Sequence, residues 1–199
     1  MRDTRVRAGV LAIAAAGLLA AGCGGDGRQD AGAPSGAFSL DVTSATFPAR
    51  QRIAEPATMK LRVRNTGDRE VPDLAVTVET VPGTDGAAPV AFGQAGDDPA
   101  LASSARPVWV LDTPPEGGAS AYVNTWTLGP LGPGRSRTVT WKLTAVKPGR
   151  YTVGWRLAPA VVGDVELSGG RTSGEFDVEI SDAPVPARVN DEGEVVRGD

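Results

Sequence analysis

The chain has no histidine, one cysteine (Cys23) and three lysines (Lys60, Lys142 and Lys147) in 199 residues. Without histidine it lacks the commonest general base and the commonest metal ligand. A serine–histidine–aspartate triad is therefore excluded. A single cysteine cannot close an internal disulfide or build a cysteine-rich zinc site. Aromatic residues are scarce at 5%, and the formal net charge is −4 with a pI near 5.0. That balance argues against a nucleic-acid binder, which normally carries a basic domain. Glycine and proline are plentiful (26 and 16 residues) but not periodic, so the chain is not collagen-like. No repeat of solenoid length is present.

What is there begins with an export signal. Arg2, Arg5 and Arg7 precede an apolar run, Val10–Ala21. Twelve residues make about 18 Å of helix, short of a hydrocarbon core of about 30 Å. A basic start, a short apolar middle and a small-residue end describe a secretory leader, not a membrane span. The run closes on Leu19-Ala20-Ala21-Gly22-Cys23. This resembles the lipobox of bacterial lipoproteins. The resemblance implies cleavage before Cys23, so that 1–22 is a lipoprotein signal peptide. It also implies a diacylglycerol group on the Cys23 sulfur and a place on the extracytoplasmic face of the cell membrane. Losing Arg2, Arg5, Arg7 and Asp3 would take the balance from −4 to −6. Charge would then not hold the protein to anionic lipid, and the acyl chains would have to.

Residues 23–37 are rich in Gly, Ala, Asp and Ser and read as a flexible tether, spanning roughly 20 Å for such a composition. From 38 to 181 the pattern has period two. Met59, Leu61 and Val63 alternate with Lys60, Arg62 and Arg64; Leu74, Val76 and Val78 repeat the pattern. So do Val139, Trp141, Leu143 and Ala145, then Tyr151, Val153, Trp155 and Leu157, then Phe176, Val178 and Ile180. Further strands are expected at 38–42, 107–111, 122–128 and 161–167, and no segment has helical periodicity. Pro82-Gly83, Pro133-Gly134 and Pro148-Gly149 supply turns. The expected fold class is all-β, an antiparallel sandwich with one long inserted loop over 82–106. Residues 182–199 have little apolar content and read as a disordered tail.

Leu61-Arg62-Val63-Arg64-Asn65-Thr66-Gly67, the strand at 74–78, Leu131-Gly132-Pro133-Gly134 and Lys147-Pro148-Gly149-Arg150-Tyr151-Thr152-Val153 together resemble bacterial immunoglobulin-like domains of the CARDB and DUF11 kind. The resemblance covers roughly 58–157. It implies an immunoglobulin-like sandwich, with the Tyr151 hydroxyl bonded to nearby backbone. It implies no function, since such sandwiches host unrelated tasks.

Candidate chemistry is thin. Lys60 and Lys142 alternate with core positions and Lys147 sits at a turn, so a serine–lysine pair would rest on solvated lysines, which are poor bases. Asp97-Asp98 is an adjacent acidic pair in the long loop with Asp85, without the spacing of a calcium loop. Trp141, Trp155, Tyr122 and Trp126 share parity with core residues. Both faces of 107–111 are apolar, so Trp109 is expected either under the long loop or, with Phe92, in a partner-binding patch. Arg50, Arg52, Arg62, Arg64 and Arg69 form a basic cluster, read either as the wet face of a strand or as a contact for an acidic envelope polymer. No catalytic residue, metal or cofactor is assigned. The expected function is a lipid-anchored, extracytoplasmic binding or spacer module, with Cys23 as lipid acceptor. Its partners would be the membrane and an envelope protein or polymer, not nucleic acid. The alternatives are a small-ligand or calcium-binding lipoprotein and, further off, a hydrolase with an unusual carboxylate site.

Overall fold

The computed structural model describes residues 33–81, 91–94, 107–183, 187–191 and 193–197. These residues hold strands and no helix. In chain order the strands are β1 (Ser35–Thr46), β2 (Arg50–Arg52), β3 (Pro56–Asn65), β4 (Ala75–Thr80), β5 (Phe92–Gln94), β6 (Trp109–Thr113), β7 (Ala119–Tyr122), β8 (Thr125–Thr127), β9 (Ser136–Ala145), β10 (Gly149–Ala158), β11 (Asp164–Ser168), β12 (Ser173–Ser181), β13 (Ala187–Val189) and β14 (Val195–Arg197).

Two six-stranded sheets form the domain. The first has the order β11-β1-β3-β9-β6-β5 and the second β2-β12-β10-β4-β8-β7. The alternation seen in the sequence sets which side faces inward. Met59, Leu61 and Val63 on β3 are fully buried opposite Trp141, Val139 and Arg137 of β9. In the second sheet Trp155 and Leu157 of β10 lie opposite Val78 and Val76 of β4. The two inner faces meet through aromatic rings. Trp126 of the second sheet and Trp141 of the first are edge-to-face with centroids 5.6 Å apart. One continuous core results, drawn from both sheets.

The central strands β1-β3-β9-β6 facing β12-β10-β4 give the four-against-three pattern of an immunoglobulin-like sandwich. The first strand changes sheets at Phe47-Pro48, and β2 continues it alongside β12. The Tyr151 hydroxyl donates to the Pro148 carbonyl at 2.8 Å, which locks the corner between β9 and β10 as the resemblance implied. Gly134 takes φ +68° after Pro133, and Arg135 N–H bonds back to the Gly132 carbonyl at 3.1 Å. Only glycine enters that conformation without a steric cost, so the Pro-Gly pair makes the turn expected of it.

Several details differ from the sequence reading. The main pairs are antiparallel, but β1/β11, β2/β12 and β5/β6 are parallel. Residues 122–128 are not one strand. They contain the turn Val123-Asn124, with Asn124 at φ 57°, between the arms of the β7–β8 hairpin. The turn breaks the parity, so Trp126 and Leu128 are buried while Tyr122, expected in the core, is 63% exposed. Ser35–Ala37, read as the end of the tether, already belong to β1 and pair with β11. Within the stretch read as a disordered tail, β13 and β14 form a small antiparallel hairpin.

Candidate functional site

Trp109 and Phe92 do not form a surface patch. Trp109 is fully buried and Phe92 is 4% exposed. The reason is an edge strand hidden in the long loop: β5 pairs with β6 and brings Phe92 level with Trp109. Phe92 then packs on Trp109 (centroids 6.3 Å) and on Trp126 (5.9 Å), and Phe47 and Tyr151 close on Trp109 at 5.4 and 5.9 Å. The indole N–H finds a partner in Gln51 Oε1 at 2.7 Å. The covering of Trp109 by the loop, one of the two expectations for it, is what the structure has.

Asn65 is likewise committed to architecture, whereas the indole N–H groups of Trp126, Trp141 and Trp155 are buried without a hydrogen-bond partner among the described residues. Asn65 is fully buried; its amide donates to the carbonyls of Arg69 (2.7 Å) and Leu131 (2.8 Å) and its Oδ1 accepts from Gly67 N–H (2.9 Å). Burial pushes the Tyr151 hydroxyl above the usual tyrosine range. Cys23, Asp85, Asp97 and Asp98 lie outside the described residues. Among the described residues no group of three or more Cys, Asp and Glu side chains gathers as a metal site would require.

Polar chemistry collects instead on the outer face of the first sheet. The alternation that buries Met59, Leu61 and Val63 turns Lys60, Arg62 and Arg64 outward, and all three are exposed. The register of β3 with β9 sets Lys60 beside Thr140, Arg62 beside Thr138 and Thr58 beside Lys142. On the other flank, Ser44 and Thr46 of β1 lie beside Arg62 and Lys60. Four cations therefore stand on a ground of hydroxyls. Of the acids of this face, Asp41 of β1 lies directly beside Arg64 in the strand register, and the others stand on β6 and β11. Asp41 accepts from Arg171 N–H at 2.8 Å and Asp112 accepts from the Thr144 hydroxyl at 2.8 Å. Asp164 and Glu166 are on the edge strand β11.

The outer face of the second sheet is different. It holds Arg150–Glu179 at 3.2 Å and Arg156–Glu79 at 4.0 Å, the ion pairs found among the described residues. Of the five arginines grouped by sequence, Arg62 and Arg64 share the first face. Arg50 and Arg52 belong to β2 of the second sheet, and Arg69 stacks on Phe38 with its guanidinium carbon 4.9 Å from the ring centre. Lys142 and the threonines of β9 were not connected to the cluster by sequence, because only the strand register places them there.

Two shallow concavities flank these surfaces. One of about 400 Å³ lies on the second sheet between Arg50, Arg150, Thr152, Asp177 and Glu179. The other, about 510 Å³, is lined by Ala45, Phe47, Pro48, Phe176, Thr58 and Lys60 where the first strand changes sheets.

No family model and no curated protein matches the chain. Among solved structures it is similar to the CARDB domain of a Pyrococcus furiosus protein in complex with di-metal ions, with a TM-score of 0.40 and 16% identity over 73% of this chain and 86% of that one. It is also similar to native α2-macroglobulin from Escherichia coli (TM-score 0.43, 12% identity, 76% of this chain and 18% of that one). A third is β-glucosidase from Listeria innocua in complex with glucose (TM-score 0.40, 16% identity, 72% of this chain and 16% of that one).

Proposed function

We propose that the protein is a lipid-anchored, extracytoplasmic immunoglobulin-like module of a bacterial cell envelope. It binds or spaces another envelope component and performs no chemistry of its own. One observation carries the reading. The space between the sheets is filled by side chains from both; Gln51 and Asn65, two of its buried polar residues, are committed to Trp109 and to backbone groups, and the three indole N–H groups without a partner among the described residues belong to packed core tryptophans. Most of the protein's other polar chemistry lies outward, on the sheet faces and in the two shallow, open concavities beside them, not between the sheets. The sequence Leu19-Ala20-Ala21-Gly22-Cys23 supports the anchor.

The test is fractionation of cells that make the full-length chain. The wild type should partition with membranes and require detergent for release. Cys23→Ser should leave the protein soluble outside the cytoplasm, or unprocessed. Membrane retention of a cleaved Cys23→Ser protein would contradict the anchor.

A further inference from the structure

We infer that the outer face of the first sheet holds an extended phosphodiester polymer along a stripe formed by Lys60, Arg62 and Arg64 of β3 and Lys142 of β9. The inference rests on the reading above and names the chemistry of the partner. All four side chains are exposed, and none makes an ion pair among the described residues. Alternate residues of a strand recur about every 7 Å. An extended chain with one phosphate per three-carbon unit repeats its charge on a similar length, so successive phosphates can meet successive cations. Thr46 and Thr140 stand beside Lys60, Thr138 beside Arg62 and Thr58 beside Lys142, and their hydroxyls can donate to the remaining phosphate oxygens.

The same geometry argues against two other anionic partners. A bilayer is broad and flat, and seating this face on it would press Asp164 and Glu166 against anionic headgroups. A narrow chain follows β3 and β9 and avoids that edge. A nucleic acid would want aromatic platforms for its bases, and the stripe residues include no aromatic ring.

The experiment uses the mature lipoprotein in nanodiscs of neutral phosphatidylcholine, with poly(glycerol phosphate) as the probe. Hyaluronate, phosphatidylglycerol vesicles and monomeric glycerol phosphate serve as comparison arms. Wild type should bind the polymer, and more weakly as sodium chloride rises. The combined change Lys60→Gln, Arg62→Gln, Arg64→Gln and Lys142→Gln should weaken binding about tenfold or more. Arg150→Gln with Arg156→Gln on the second sheet should bind as wild type does. If the fourfold variant fails to fold, Arg62→Gln and Lys142→Gln singly should each weaken binding by about two- to threefold. Absence of polymer binding by wild type, equal binding by the stripe variants, or tighter binding to hyaluronate or to the vesicles would each overturn the inference. The intact mass of the same preparation separates the two claims. Lipid on Cys23 without polymer binding overturns the stripe alone; polymer binding with an unmodified Cys23 supports the stripe and overturns the anchor.

Discussion

Trp109 of β6 donates its indole N–H to Gln51 Oε1 of β2 across 2.7 Å, joining one sheet to the other inside the core. Gln51 is held in turn, its amide nitrogen donating to the Pro48 carbonyl at 2.9 Å. An isolated buried donor costs about 1–3 kcal/mol. Gln51→Leu should therefore lower stability by about 1–3 kcal/mol through the orphaned indole N–H. Trp109→Ala should cost more, about 3–5 kcal/mol, because it empties an aromatic cluster. Urea unfolding checks both, as a lower midpoint at unchanged slope. A Trp109→Ala protein as stable as wild type would return Trp109 to the surface.

Tyr151→Phe removes the hydrogen bond to Pro148 and should cost about 1 kcal/mol. The pH dependence has a definite sign. Burial raises the folded-state value of Tyr151 above the ordinary 10.0. The unfolded chain therefore ionises first, and the contribution of Tyr151 is fully present below the unfolded value. It is lost as pH rises through the folded one. Absorbance titration in a Tyr122→Phe background, where Tyr151 is the remaining tyrosine, should show delayed ionisation that reverts on unfolding in urea.

Asn65→Ala should strand the Arg69 carbonyl and the Gly67 N–H and leave the Leu131 carbonyl with the Val71 N–H as its remaining donor, at a cost of about 3 kcal/mol. Asn65→Asp should be at least as damaging, because it places a carboxylate oxygen against two carbonyls. Thermal unfolding checks both. An unchanged Tm would mean that the Asn65 clamp is dispensable.

The β7–β8 hairpin gives a paired comparison. Tyr122→Ala, at an exposed position, should change stability by less than about 0.5 kcal/mol. Trp126→Ala, four residues on, should cost about 3–5 kcal/mol. Equal effects would mean that the two share a face after all.

What the sequence made legible follows from how local each signal is. Met59, Leu61 and Val63 announce their strand because alternation is written in neighbouring residues, and Pro148-Gly149-Arg150-Tyr151 carries its corner within four. The inward face of Tyr122 was misread because Val123-Asn124 turns without glycine or proline, using Asn124 at positive φ. β5 was missed because three residues in a Gly- and Ala-rich loop carry no periodicity, and their pairing with β6 is parallel. The stripe was half visible: β3 displays Lys60, Arg62 and Arg64, but Lys142 and its threonines are some eighty residues distant and join only through register. Cys23 stands on its sequence motif alone, outside the described residues.

The most direct test of the central claim is the intact mass of the protein extracted from cell membranes with detergent. The account predicts a chain beginning at Cys23 that carries a diacylglyceryl group on its sulfur, with or without a further acyl chain on the amine. A chain that retains residues 1–22, or begins elsewhere with no lipid mass, would contradict it.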